Sequence, residues 1–270
     1  MKDILITGAD GMVGSYADFG IRLGRKELDV TDASAVHAAF TTYHPAAVIH
    51  LAAMTDQAAC ATDPEKAHLV NAESARIIAL AAREAGAQVV YVSTNAVFNG
   101  RGADPFSISD TPDPQTIYGR SKYEGERAVL EVLPDALIVR TSWIFGGGPK
   151  KDKKFVGNVI KQLRAGAKEI RAAADVAGTP TYGRDFIQAV QGFLEEGKTG
   201  VVHLTNAGIA SRYDIAKCIR ELLGSSAEIV PVAAAVFGGT VTHNEALTGE
   251  QMRPWQDALR EYIETEWREI

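Results

Sequence analysis

The chain has 270 residues, of which 46% are hydrophobic, and its formal net charge is −6. That length suffices for one domain, or for one large and one small domain. No apolar run reaches the ~18 residues of a membrane helix, and no signal-peptide pattern is seen. Two cysteines, Cys60 and Cys218, are too few for a disulfide framework. We expect a cytoplasmic protein that binds neither membrane nor nucleic acid, and we interpret the lysines at 150–154 as a solvated loop.

Short apolar runs bounded by glycine, proline or polar residues predict strands that are buried on both faces. They are Ile4–Thr7, Ile21–Gly24, Ala47–Leu51, Val89–Ser93, Leu137–Thr141 and Val201–Leu204. Helices are predicted between them at Ala33–Tyr43, Pro64–Ala85 and Tyr118–Leu133. This alternation predicts an α/β fold with a doubly wound parallel sheet of the Rossmann type. The first crossover has room for only one or two helical turns before Gly20.

The alternation loosens after the three glycines at 146–148, which we interpret as a hinge. Predicted elements beyond it are the helices Phe155–Ala165, Arg184–Glu195, Arg212–Leu223 and Trp255–Trp267 and the strand Glu228–Pro231. We therefore expect a main domain at 1–148, with returns to it around 182–207. A smaller region at 149–270 would form one wall of a cleft at the carboxyl ends of the strands.

A glycine-rich turn follows the first predicted strand, with glycines at positions 8, 11 and 14. Such glycines permit a tight turn, a close approach of the backbone to a pyrophosphate, and close packing of the next helix. The start of that helix adds free N–H groups and a positive dipole. The context of strand, turn and helix predicts a dinucleotide site made by Gly8, Asp10, Gly11, Met12, Val13 and Gly14.

The end of the second predicted strand bears on the choice of dinucleotide. An acidic residue there would bind the ribose 2′-hydroxyl of NAD, and the sequence has none at this point. Arg25 and Lys26 follow instead and suit a 2′-phosphate. We predict that NADP(H) is preferred and that NAD(H) is possible; the alternative is that both cations are solvated surface charges.

A second motif places Tyr118 and Lys122 four residues apart at the start of a helix. This spacing puts both side chains on one helix face. A neighbouring ammonium is expected to lower the pKa of the phenol and to make it a usable proton donor to a carbonyl oxygen. The hydroxyls of Ser93 and Thr94 end a buried strand and accompany the pair.

In these motifs the chain resembles the extended short-chain dehydrogenase/reductases. Within that group it is most similar to the dTDP-4-dehydrorhamnose reductase family. The resemblance extends over nearly the whole chain. The segments that carry it are the glycine turn, Leu28–Asp32, Ile49–Ala53, Val70–Ala72, Val92–Gly100, Tyr118–Lys122, Arg140–Gly146 and Gly178–Thr181.

The resemblance implies a role for each matching residue. The catalytic trio would be Thr94, Tyr118 and Lys122. Further cofactor contacts would come from Asp29, Val30, Leu51, Ala52, Ala53 and Asn71, and substrate contacts from Thr55, Asn95 and Trp143. The implied reaction is reduction of a 4-keto sugar linked to a nucleoside diphosphate. Independently of the resemblance, the six histidines are scattered without the spacing of metal ligands, so we expect no metal. The long helices at 64–85 and 118–133 resemble those that pair in homodimers of this superfamily.

The substrate half departs from the family pattern. Asn95-Ala96 replaces the usual Asp-Tyr, and the segment Met54–Ala59 and the pair Asp175-Val176 also differ. Val241–Glu245 replaces an Arg-Pro-x-x-Ser segment whose arginine should help to hold a nucleotide. Two alternatives therefore stay open: a non-catalytic dinucleotide-binding subunit that regulates a partner, and an epimerase or dehydratase. Dehydratases usually have an Asp-Glu pair after the threonine, where this chain has no acid.

Overall fold

The computed structural model describes residues 3–238 and 242–268. The strands, in chain order, are β1 (Ile4–Thr7), β2 (Ile21–Leu23), β3 (Ala47–His50), β4 (Gln88–Thr94), β5 (Leu137–Thr141), β6 (Ile144–Phe145), β7 (Glu169–Ala173), β8 (Ala177–Gly178), β9 (Thr181–Tyr182), β10 (Gly200–Ala207), β11 (Glu228–Val232), β12 (Asn244–Glu245) and β13 (Glu250–Pro254). The α-helices are α1 (Ala33–Tyr43), α2 (Gln57–Thr62), α3 (Pro64–His68), α4 (Ser74–Ala85), α5 (Ile117–Val132), α6 (Gly148–Lys151), α7 (Phe155–Arg164), α8 (Gly183–Glu195), α9 (Arg212–Leu222) and α10 (Trp255–Glu266).

The central sheet has seven parallel strands in the order β13-β10-β5-β4-β3-β1-β2. Both of its faces are covered, as the continuous apolar runs predicted. Leu5 points into a cluster formed with α1, α4 and α5, while its neighbour Ile6 packs on the opposite face with α8. The predicted doubly wound α/β fold is confirmed.

A further apolar cluster lies in the C-terminal half of the chain. It joins α7, α9 and α10 to the two-stranded sheet β7–β11, and Trp255, Tyr262 and Trp267 are buried in it. The predicted packing role of these three aromatics is confirmed. The expected return to the main sheet is made by α8 and β10, and β13 makes a second return. The domain boundary at residue 148 stays a prediction.

Two helical predictions need correction. The segment 64–85 is not one regular helix, because a π-helical turn at Leu69–Glu73 separates α3 from α4. The first crossover contains a single 3-10 turn, Gly14–Tyr16, so the expected α-helix dipole is absent from that turn. Among the described helices, none is both long and apolar enough to cross a membrane.

Candidate active site

A cavity of about 400 Å³ opens at the carboxyl ends of β1, β3, β4 and β5. Ligands of doubly wound sheets bind at this edge. The opposite wall comes from the starts of α7 and α9 and from residues 242–245. Thirteen of the sequence-predicted site residues line it: Gly8, Gly11, Met12, Val13, Gly14, Leu51, Ala53, Thr55, Thr94, Asn95, Tyr118, Lys122 and Trp143.

The glycine turn is shaped by close backbone contacts. Gly8 has a φ of +67°, and a Cβ there would lie 2.6 Å from the backbone nitrogen of Ala52. A Cβ on Gly14 would lie 2.6 Å from Cα of Ala9. A Cβ on Gly11 would approach only the carbonyl oxygen of Gly8, at 3.0 Å. Gly8 and Gly14 are therefore required by packing, whereas Gly11 is open on its cavity side, and its contact with a pyrophosphate stays a prediction.

Tyr118 and Lys122 reach the cavity because α5 packs closely on β4. The side chain of Thr116 caps α5 by accepting from the N–H of Gly119 at 3.0 Å. A Cβ on Gly119 would lie 2.1 Å from the carbonyl oxygen of Ala96, so only glycine allows this approach. The phenol of Tyr118 lies close to the side chain of Thr94, the last residue of β4. The predicted trio therefore meets in one place.

The electrostatics of the trio differ from the expectation. Burial raises the pKa of Tyr118 to about 12, although the neighbouring Thr94 side chain acts in the opposite direction. Burial lowers the pKa of Lys122 to about 7, against the attraction of Glu126. Lys122 Nζ lies 3.9 Å from the ring centroid of Tyr91. The predicted lowering of the phenol pKa by Lys122 is wrong, and the phenol stays protonated at neutral pH, as a proton donor must.

Asn71 does not line the cavity but is buried behind it, in the π-helical turn. Its amide nitrogen donates to the carbonyl of Met54 and to Ser121, and its Oδ1 accepts from the N–H of Met54. The hydroxyl of Tyr91 donates to the Asn71 carbonyl at 2.7 Å. Its predicted cofactor contact stays a prediction; in the structure, Asn71 holds the Met54 loop against α5.

The substrate half of the cavity is built around Trp143, which has the unusual φ of +41°. Its indole N–H donates to Glu245, and Thr242 donates to the other oxygen of that carboxylate at 2.6 Å. The guanidinium of Arg212 stacks on the Trp143 ring, 3.8 Å from its centroid. Burial lowers the pKa of Arg212 to about 10, against the attraction of Glu245.

A second cation lies close to Arg212. Burial lowers the pKa of Lys154, and the charge of Arg212 lowers it further. Both residues line the cavity. Within residues 3–238 and 242–268, the Arg212 guanidinium has aromatic neighbours, Trp143 and Phe155, but no hydrogen-bond acceptor. This end of the cavity therefore suits a ligand with negative charge.

Other predicted site residues lie away from the cavity lining. They are Asp10, Arg25, Asp29, Val30 and Ala52. Val30 is part of the core, and Asp29 accepts from the N–H and hydroxyl of Thr31, which lowers its pKa. Their expected contacts with the cofactor stay predictions.

The sequence analysis predicted no acidic residue at the end of β2, and this prediction is wrong. Glu27 accepts from the N–H of Gly24 at 2.9 Å. A Cβ on Gly24 would lie 1.9 Å from Oδ2 of Asp10. Two carboxylates therefore stand where the 2′-substituent of an adenosine ribose is expected, beside the exposed Arg25 and Lys26.

Lys154 and Arg212 line the cavity but were not predicted as site residues, and Ser93, noted in the sequence beside Thr94, lines it as well. No sequence signal pairs the two cations: Lys154 lies at the N-cap position of α7 without a side-chain capping bond, and Arg212 is the first residue of α9. Ser93 Oγ is buried at the cavity and has no hydrogen-bond partner within the described part of the chain. Of the replaced segment 241–245, Val241 lies outside the described residues.

A glycine turn at the edge of a parallel sheet, together with a Thr–Tyr–Lys trio in the same cavity, defines an extended short-chain dehydrogenase/reductase. The family model described as RmlD substrate binding domain matches residues 1–267. The chain belongs to this family, and the resemblance inferred from the sequence is confirmed.

Similar proteins span nearly the same length. The spore coat polysaccharide biosynthesis protein SpsK of Bacillus subtilis is 34% identical, and the match covers 98% of both chains. A dTDP-4-dehydrorhamnose reductase of Mycobacterium tuberculosis is 35% identical over 95% of this chain and 90% of its own. The structure of dTDP-4-dehydrorhamnose reductase from Bacillus anthracis in complex with NADP has a TM-score of 0.91 and 31% identity, and covers 98% of this chain and 100% of that one.

Proposed function

We propose that the protein is an NADP(H)-dependent reductase of a 4-keto sugar linked to a nucleoside diphosphate. The observation that carries this proposal is a single cavity with three parts. It holds a glycine turn that is open at Gly11, the trio Thr94, Tyr118 and Lys122, and an opposite end with Trp143 and two cations. The names of the M. tuberculosis and B. anthracis relatives support the same reaction.

The chemistry follows from the protonation states of the trio. A bound dihydronicotinamide supplies the hydride that reduces the carbonyl carbon. Tyr118, which is protonated at neutral pH, donates its phenolic proton to the carbonyl oxygen as negative charge develops there. The hydroxyl of Thr94 stabilises the same oxygen with a hydrogen bond. Lys122, when charged, would hold the ribose next to the reacting ring.

Cofactor choice depends on the end of β2. The exposed cations Arg25 and Lys26 favour the 2′-phosphate of NADP(H), and the B. anthracis relative was solved with NADP. The carboxylates of Asp10 and Glu27 can accept hydrogen bonds from a 2′-hydroxyl instead. NADP(H) is therefore the preferred cofactor, and NAD(H) is usable.

The diphosphate of the substrate would lie between Lys154 and Arg212. These like charges repel each other, which is why Arg212 lowers the pKa of Lys154. A dianion placed between them removes this repulsion and supplies the acceptors that the guanidinium lacks. A nucleotide-linked sugar fits this arrangement better than a free sugar does.

The alternatives make different predictions. A regulatory subunit would bind the dinucleotide without turnover and would have no use for Thr94, Tyr118 and Lys122 in one cavity. A dehydratase would need an acid where Asn95 and Ala96 line the cavity. The cytoplasmic location stays a prediction. The homodimer also stays a prediction; on α5, one of the two helices expected to pair, the exposed residues are all charged: Arg120, Glu124, Arg127 and Glu131.

The test is oxidation of NADPH in the presence of dTDP-, UDP- and GDP-linked 4-keto-6-deoxy sugars. We expect turnover with at least one of them and much less with the same sugar lacking the nucleotide. Arg212→Met should raise KM for the nucleotide-linked sugar, with Arg220→Met, on α9 but outside the cavity lining, as the matched control. Tight NADPH binding without turnover of any substrate in the panel would overturn the proposal in favour of a regulatory subunit.

A further inference from the structure

The phenol of Tyr16 joins three segments that are far apart in the sequence. Tyr16 Oη donates to the carboxylate of Glu266, at 2.6 Å from Oε1 and 2.9 Å from Oε2, and accepts from the N–H of Gly147. Tyr182 donates to the same carboxylate at 2.6 Å. Glu266 is the last residue of α10, and its side chain is only 15% exposed. Through Tyr16, the Glu266 carboxylate thus connects the C-terminal helix with the first crossover and with the glycines at 146–148.

The Tyr16 ring is held on several sides. A Cβ on Gly146 would lie 2.7 Å from its hydroxyl, and a Cβ on Gly183 would lie 3.2 Å from its ring. The ring meets Tyr182 edge-on, with centroids 5.5 Å apart, and the guanidinium of Arg184 lies 5.3 Å from its centroid. The position of Tyr16 is therefore determined by residues far away in the sequence.

The glycine turn is followed by little regular structure of its own, although Val13, Tyr16 and Ala17 pack in the apolar cluster that includes α8. In a dinucleotide-binding sheet, the helix that follows the turn normally packs against the strands, but here the crossover contains only the 3-10 turn Gly14–Tyr16. The N–H of Tyr16 donates to the carbonyl of Val13 at 3.1 Å, and Ser15 Oγ donates to that of Met12 at 2.8 Å. Met12 and Val13 line the cavity. A displacement of Tyr16 is therefore passed directly to the cofactor turn.

We propose that Tyr16 and Glu266 are positioning residues for the cofactor turn, and that the end of the C-terminal helix fixes the short crossover through the Glu266 carboxylate. The inference rests on the dinucleotide-binding part of the proposed function. Because coupling between two sites is reciprocal, a dinucleotide bound at the turn also strengthens the docking of α10. The end of the chain thus contributes to cofactor affinity without touching the cofactor.

The test compares two phenols that donate to the same carboxylate. Tyr16→Phe removes the hydroxyl of a residue that belongs to the crossover, while Tyr182→Phe removes a matched hydrogen bond from a residue outside it. We expect NADPH to bind about tenfold more weakly to Tyr16→Phe, the effect of one lost hydrogen bond to a charged group, and within about twofold of the parent to Tyr182→Phe. Glu266→Gln should weaken binding, and Glu264→Gln, exposed on the same helix, should not.

Hydrogen exchange separates this inference from the proposed function. In the ligand-free proteins, amides of residues 8–17 should exchange faster in Tyr16→Phe than in Tyr182→Phe, and NADPH should slow exchange in residues 255–266 of the parent. A parent that binds no dinucleotide would contradict the proposed function, while faster exchange at residues 8–17 would still support the positioning role. Equal exchange at residues 8–17 in both variants, or equal NADPH affinities, would overturn the inference.

Discussion

A buried ion pair lies one helical turn below Lys122 and provides the sharpest test of the electrostatics. Arg140 donates to both oxygens of Glu126, at 2.9 and 2.7 Å. The two residues are 4% and 2% exposed, respectively, and the guanidinium of Arg140 lies 5.2 Å from the ring centroid of Phe98. The pair joins α5 to β5, so it fixes the helix that carries Tyr118 and Lys122.

Glu126→Gln keeps the shape of the side chain and removes its charge. Loss of one partner from a buried pair costs about 3–5 kcal/mol, because the other charge stays buried. The glutamine oxygen can still accept one of the two hydrogen bonds, so we expect the lower end, about 3 kcal/mol. For a chain of this size, that corresponds to a fall in Tm of roughly 6–12 °C. Because Glu126 raises the pKa of Lys122, the variant should also lower that pKa below its present value of about 7.

Urea denaturation at pH 7, followed by circular dichroism, measures the first effect. The paired variant Glu126→Leu with Arg140→Met should recover most of the lost stability, since it leaves no unpaired charge. NADPH affinity measured as a function of pH tests the second effect. In both proteins the affinity should decline as the pH rises and Lys122 loses its proton. In Glu126→Gln this decline should begin at a lower pH than in the parent. A loss below about 1 kcal/mol, typical of an exposed pair, would refute the reasoning.

Three further predictions concern the cofactor and the pH range. Gly11→Val places methyl groups in the space expected for the pyrophosphate, so calorimetry should show no NADPH binding although the thermal melt is little changed; unchanged affinity would contradict the placement. Arg25→Ala should weaken NADPH more than NADH, and Asp10→Asn should do the reverse; equal effects of Arg25→Ala on both cofactors would refute the role of that cation. Burial lowers the pKa of His203 from 6.5 to about 4, so the unfolded chain binds a proton that the folded chain does not, and stability should fall as pH drops through this range. His203→Asn keeps a donor for the carbonyls of Phe106 and Thr248 and should make this acid loss shallower in denaturation experiments; an unchanged slope would show that His203 is not its source.

The sheet was predictable because its central strands are buried on both faces and read as continuous apolar runs. β13 was not, because its residues, Glu250 to Pro254, are polar and include a proline. Such a sequence suits an edge strand, and its pairing with β10 is decided by the fold around it. The π-helical turn at Leu69–Glu73 was also unpredicted, since it depends on the tertiary hydrogen bonds of Asn71.

The trio was predictable from local spacing, but its electrostatics were not. Tyr118 and Lys122 share a helix face, yet Lys122 Nζ lies over the Tyr91 ring, and burial outweighs any effect of the ammonium on the phenol pKa. Lys154 and Arg212 are 58 positions apart in the sequence, and only the packing of α7 against α9 brings them to one cavity. Burial and long-range contacts, which decide these features, are not encoded in any short motif.

The most direct test of the account is the Tyr118→Phe variant, measured for both NADPH affinity and turnover of the best nucleotide-linked 4-keto sugar. The substitution removes one oxygen, and the cofactor phosphates are assigned to the glycine turn, so the Kd for NADPH should stay within about twofold of the parent. Turnover should fall by about 10²–10⁴-fold, the usual contribution of a positioned general acid. A variant that retains the parent's turnover would contradict the assignment of Tyr118 as the proton donor.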